Sequence, residues 1–441
     1  MNSKSVISAL ISIFIGMLVG TLIVIFVGLN SDGISAKGIS EGIKLIFLGL
    51  FSTGRDGADL SFGFNMVNIG NMLFRATPLI LTGLSVAVAF KTGLFNIGAP
   101  GQYLMGTAAS ICIALSVPTS SVPAGVVWLL AFAGGIICGA LWGAIPGALK
   151  AFLNINEVIT CIMTNWIGLY LTNIMLSNPK AMNPTLSETH SLFKNAPNAL
   201  IPSGGLSDAF NKNKYVTIAI IFTIIIAIIV LIVMNKTTFG YELKATGNNK
   251  FAAKYAGMKD KRNIILTMAI SGALASLGAA FFYLTGIENF KTASSVPAMG
   301  FNGIAVAFLG GLNPIGVVIA GYFVQHITLG GSKIDTTYYN PQVADLMIAI
   351  IIYLCAFVLF FKQFMKKYLN KLTEKIAGKT GAQAEVAADS TVTETASDAS
   401  DGEINDNSET PEEEFKKEVE TEVEEMPPIV DEKSGKEVDE K

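Results

Sequence analysis

The chain has 441 residues, 51% of them hydrophobic and only 15% charged, which excludes an ordinary set of soluble domains. Its formal net charge of −3 conceals a division, because residues 1–379 hold 26 Lys and Arg against 13 Asp and Glu, while residues 380–441 hold 5 against 21. A basic, apolar body and an acidic tail must therefore be read separately.

A helix crossing about 30 Å of hydrocarbon needs about 20 mostly apolar residues, since every backbone polar group must be paired within the segment. Residues 5–29 are the first to qualify, and without a small-x-small cleavage pattern they read as a span and not a signal peptide. Region 39–52 is apolar but too short to cross, and is placed at an interface. Further spans are read at 72–90, 101–117, 124–149, 155–176, 215–234, 264–286 and 343–361, with a glycine-interrupted apolar stretch at 301–329.

Lysine and arginine in short loops set orientation. The loop 235–263 holds Lys236, Lys244, Lys250, Lys254, Lys259, Lys261 and Arg262, and residues 362–379 add a second basic cluster, so both are placed in the cytoplasm. The polar stretch 177–214 then lies outside. Two cytoplasmic flanks require an even number of crossings between 263 and 362, so 301–329 must either re-enter the face it left or split into two short spans near Gly310-Gly311-Leu312-Asn313-Pro314. Counting it as two gives an all-α polytopic membrane protein of about ten transmembrane helices, with the N-terminus inside.

A second interruption is read at residues 95–102, FNIGAPGQ. It resembles the first, since AVAF at 87–90 leads to Gly93-Leu94 and Asn96-Ile97-Gly98, and AVAF at 305–308 leads to Gly311-Leu312 and Asn313-Pro314-Ile315-Gly316. Matching breaks in two parts of a membrane chain point to a transport pathway, because unpaired backbone groups are tolerated only beside protein or water. Close packing of small residues is the plainer alternative. The orientation above makes such a repeat parallel.

The chain divides into an N-terminal region 1–71, a core 72–361, a basic juxtamembrane segment 362–379 and an acidic tail 380–441. That tail, rich in Ala, Ser, Thr, Glu and Asp, buries too little apolar surface to order itself and is read as disordered in the cytoplasm.

Chemistry-bearing patterns are scarce. Cys112, Cys138, Cys161 and Cys355 lie in apolar runs without metal-ligand spacing, and His190 and His326 lack partner ligands, so no catalytic residue and no metal site is expected. Gly378-Lys379-Thr380 lacks the earlier glycine and the strand of a phosphate loop. Lys91, Glu157 and Asp345 sit near span ends, too few charges for a proton relay. Energy is therefore expected from another subunit, an ion-coupled carrier and a membrane scaffold being the alternatives. Within 237–262, Ala252, Ala253, Ala256 and Met258 fit a short amphipathic helix after Asn248-Asn249, with Gly257 as its stop. Such a helix either docks in a partner's groove or lies on the inner leaflet.

The stretch GYELKATGNNKFAAKYAGM resembles the ATPase-contacting loop of permeases in the ABC importer family that carries branched-chain amino acids, simple sugars and nucleosides. Residues 83–106, 153–167 and 300–321 agree with it in order and spacing. The FNIG-x-x-GQ and GFNGIAVA-x-LG forms look most like nucleoside and simple-sugar permeases, although Pro100 stands where an acidic residue is common.

The resemblance implies a type II importer permease fold in the cell membrane. It also implies a second related permease, cytoplasmic ABC ATPases that use ATP and Mg, and an extracellular solute-binding lipoprotein. This chain itself would bind no cofactor and no nucleic acid. Coupling residues carried over are Gly240, Glu242, Leu243, Ala245, Gly247, Ala252, Ala253, Tyr255, Ala256 and Gly257. Pathway candidates are the amides at the breaks and the rings beside them: Phe95, Asn96, Gln102, Asn165, Trp166, Phe301, Asn302 and Asn313.

Overall fold

Apolar helices of 18 to 30 residues carry the architecture. The computed structural model describes residues 17–30, 34–56, 59–118 and 122–333, together with positions 346, 349, 350 and 353. All belong to one unit, Met1–Asn370; the second unit, Lys371–Lys441, lies outside the described residues. So do Cys355, Asp345, residues 362–379, the acidic tail, the start of the first expected span and nearly all of 343–361.

The described elements begin with α1 (Met17–Leu29) and α2 (Ala36–Leu48), the latter capped by the Ser35 hydroxyl. A bulged hairpin of β1 (Ser52–Asp56) and β2 (Asp59–Phe62) leads into α3 (Met66–Lys91). Asn65 caps α3 with an oxygen that accepts from the amides of Val67 and Asn68. That cap starts the helix at Met66, so the 71/72 boundary read from the sequence lies within α3. Then come α4 (Ala99–Ser116), α5 (Ala124–Leu153) and α6 (Glu157–Leu176).

The polar stretch 177–214 holds the short β3 (Met182–Asn183) and β4 (Glu188–Thr189), then α7 (Leu192–Asn195) and α8 (Leu206–Ala209). These two small ladders qualify the all-α reading without entering the bundle. After α9 (Ala219–Lys236), the basic loop folds as α10 (Thr238–Asn248) and α11 (Lys250–Tyr255). The described body ends with α12 (Asp260–Tyr283), α13 (Ala298–Leu309) and α14 (Pro314–Gly331).

Six described helices are long and apolar enough to cross a membrane: α3, α5, α6, α9, α12 and α14. The stretch 301–329 does split, into α13 and α14. At 12 residues α13 rises only about 18 Å, too little to cross alone.

α12 is the hub, packed on α3, α4 and α5. Glycine permits the approach: a Cβ on Gly272 would lie 3.1 Å from Gly143 Cα, so the α5 and α12 backbones touch. Outward faces are apolar instead, as on α9, where Ile221, Ile225, Ile229 and Ile232 are exposed. Small residues thus set the close helix approaches, and the outward face of α9 carries large aliphatics suited to lipid.

Candidate functional site

Both sequence interruptions are real breaks, and they close alike. At the first, the Thr92 hydroxyl donates to the Val88 and Ala89 carbonyls, Gly93 takes φ +73°, and the Leu94 amide returns to Ala89 O at 3.0 Å. At the second, Gly311 takes φ +60° and the Leu312 amide returns to Ala307 O at 2.8 Å. These are the same six-to-one closures, made by the paired Ala, Gly and Leu of the two AVAF-containing stretches. Asn96 then accepts from the Gly98 amide, and Asn313 from the Ile315 amide.

The two breaks also meet in space. Phe90, Phe95 and Phe308 form a cluster of edge-to-face rings, with centroids 5.0 to 6.4 Å apart. Further along, the Thr82 hydroxyl lies 3.4 Å from Met299 O, so α3 and α13 run side by side in the same direction.

The pathway candidates separate into two groups. Asn96, Gln102 and Asn165 are at most 2% exposed and fully engaged. The Asn96 amide donates to Gln102 at 2.8 Å and Ser271 at 2.6 Å, with Ser85 at 3.3 Å, and Ser271 in turn donates to Ser85 O. Asn165 accepts from the Gly101 amide and donates to Ile97 O, tying α6 to the start of α4. These amides hold the first break in shape, Asn313 caps α14, and half-buried Phe95 belongs to the ring cluster. Trp166, Phe301 and Asn302 are exposed and available.

Sequence reading missed the serines that complete the network, Ser85, Ser271 and Ser276. It also missed residues 292–297, which run without helix or strand into α13. A hydroxyl in a small-residue helix carries no signal of its own until its partner on another helix is known.

The coupling candidates form one compact structure. The Gly240 amide donates to the capping Thr237 hydroxyl, and Leu243 is 1% exposed beneath α10. Glu242 pairs with Arg262 at 3.6 Å, and Ala245 O accepts the Asn249 amide. Gly247 sits directly on Gly93, since a Cβ on Gly93 would lie 2.6 Å from Gly247 O. Asn249 caps α11 and Gly257 ends it at φ +81°, the stop its sequence suggests. Ala253 points inward, while Ala252, Tyr255 and Ala256 are exposed. Phe251, 83% exposed beside Tyr255 at 97%, was missed. So were Thr246 and Asn263, whose 3.0 Å hydrogen bond joins α10 to α12.

Both histidines and Glu157 have structural partners. His326 contacts Phe47 O at 2.8 Å, His190 contacts Pro179 O, and Glu157 pairs with Lys150 at 2.9 Å. Among the described residues no group of His, Cys, Asp or Glu could hold a metal.

A bundle of apolar helices, with paired breaks packed against each other and a two-helix basic segment seated on one of them, defines a multi-pass membrane permease. The chain belongs to the family described as branched-chain amino acid transport system / permease component, which matches residues 68–356. Among its relatives, the nucleoside ABC transporter permease NupB of Lactococcus lactis is 35% identical over 81% of this chain and 92% of its own. The guanosine ABC transporter permease NupP of Bacillus subtilis is 34% identical over 79% and 92%, and the glucose ABC transporter permease TsgB13 of Haloferax volcanii 32% over 61% and 70%. No solved structure matches. The chain is thus an ABC importer permease of the nucleoside and sugar type, a transport subunit and not an enzyme.

Proposed function

We propose that this chain imports nucleosides as one of two related permeases, crossing the cell membrane about ten times with its acidic tail in the cytoplasm. Separate ATPase subunits, using ATP and Mg, supply the energy, and an extracellular lipoprotein supplies the solute. The nucleoside solute is supported by the similarity to NupB and NupP, and the single structural observation that supports coupling to separate ATPases is the seam of Gly247 on Gly93, which seats the basic two-helix segment directly against the first break.

Force on α11 passes through α10 to Gly93. From there it has two routes inward: the phenylalanine cluster, which reaches the second break, and the Asn96 network, which reaches α12. Closely packed elements of this kind shift as units between discrete arrangements. Phe251 and Tyr255 provide the exposed apolar surface that an ATPase groove would take up. Phe251→Ala combined with Tyr255→Ala should abolish co-purification of the ATPase without reducing the amount of folded permease; retained association would remove α11 from the docking surface.

A second reading, import of a simple sugar, is favoured by the similarity to the glucose permease. Competition of guanosine uptake by ribose or glucose separates the two.

A further inference from the structure

Residues 292–297 run without helix or strand from the Glu188–Lys291 bridge into α13, and two contacts measure how far along the spanning helices they reach. Ala293 is held to Asn173 of α6, which donates to Ala293 O at 2.8 Å and faces its amide at 3.4 Å. Gly300 lies against Pro100, since a Cβ there would sit 2.5 Å from Pro100 Cα, and the next residue, Gly101, donates to Asn165. Asn165 and Asn173 are eight residues apart on α6, about 12 Å along its axis. On α3, Met299 is level with Thr82, nine residues or about 14 Å from the C-terminus of that helix. Both place the start of α13 near the middle of a hydrocarbon layer about 30 Å thick.

Within the described residues the amides of Ser294, Ser295 and Val296 meet no acceptor, and Thr292, Ser294 and Ser295 are exposed. Non-helical backbone in this state is not stable against lipid and persists only beside water or protein. Just beyond, Asn302 and Phe301 are exposed on α13. No residue from 292 to 302 is titratable.

We infer that this stretch lines the translocation path midway across the membrane and contacts the solute. Ser294, Ser295 and Asn302 supply hydrogen bonds, and Phe301 supplies a ring face. With no charge in the lining, the solute is a neutral, hydroxylated ring compound, so a nucleoside passes and its phosphorylated form does not. The solute class rests on the nucleoside reading above; the lining itself does not.

The test uses the complete transporter in sealed membrane vesicles, with the native cysteines replaced and Ser295→Cys introduced. A membrane-impermeant thiol reagent should modify Cys at this position during turnover, about tenfold more slowly when guanosine is present. Ser294→Val and Asn302→Leu should each lower maximal guanosine uptake about tenfold at unchanged membrane abundance, the size of one lost hydrogen bond, and Asn302→Gln should restore it. No modification under any condition, or unchanged uptake in both variants, overturns the lining assignment. If ribose both enters and protects while guanosine does neither, the nucleoside reading falls and the lining stands.

Discussion

Asn96 and Asn302 are the same side chain in similar sequence surroundings, yet they do opposite work. Asn96 is 0% exposed and joins α3, α4 and α12 through Ser85, Gln102 and Ser271, whereas Asn302 is exposed. Replacing Asn96 with Leu removes a donor that three buried groups share and leaves some of them unpaired. The expected cost is about 2–4 kcal/mol, read as a lowered thermal midpoint of the detergent-purified chain. Asn302→Leu should change the midpoint little, by about 0.5 kcal/mol or less, and act on transport instead. Equal destabilisation by both would show that the division into packing and pathway amides is wrong.

At the scale of elements, the breaks were legible because their closures use glycine and asparagine, whose conformational needs show in sequence. Gly93 and Gly311 adopt positive φ, and Asn96 and Asn313 accept from amides two residues on. The short helix after Asn249 was legible for the same reason. What could not be read was which amides would be consumed inside the protein, since that depends on Ser271, some 175 residues from Asn96. Nor could α10 be read, because its core contact, Leu243, is isolated among polar residues.

Two predictions belong at this scale. Gly247→Leu forces a side chain into the Thr92–Gly93 backbone and should abolish uptake while leaving the ATPase bound; normal uptake would mean the seam transmits nothing. The second concerns the β1–β2 hairpin, held to α2 by the exposed pair Lys37–Asp59 at 2.6 Å. The Lys37 ammonium holds the Asp59 carboxyl below its ordinary range, and Asp59 raises the Lys37 ammonium above its own. A depressed carboxyl gives a contribution that is lost as pH falls through its folded value, and a raised amine one that is lost as pH climbs through its folded value. Hydrogen exchange of the hairpin should therefore be level from about pH 5 to 9, once corrected for intrinsic rates, and any change should be small because the pair is exposed. A steep transition near pH 7 would point to some other titrating contact.

For the whole molecule, membrane threading followed from the apolar runs and the basic loop, which are properties of composition over long windows, whereas the permease class followed from the resemblance of residues 83–106, 153–167, 240–258 and 300–321 to a known family. Depth did not follow. The stretch between Phe290 and α13 carries no depth signal in its sequence, and only its ties to Asn173 and Pro100 show how far along α6 it reaches. The resulting picture is of a passive conduit with two linked interruptions, moved by a segment seated on one of them. Its central claim is that solute movement depends on work done by other subunits. The most direct test is guanosine uptake by proteoliposomes holding this chain and its paired permease, fed by the binding lipoprotein, with and without the ATPase subunits. The account predicts uptake only when both ATPase and ATP are present, and none driven by a proton or sodium gradient alone; gradient-driven uptake without the ATPase would contradict it.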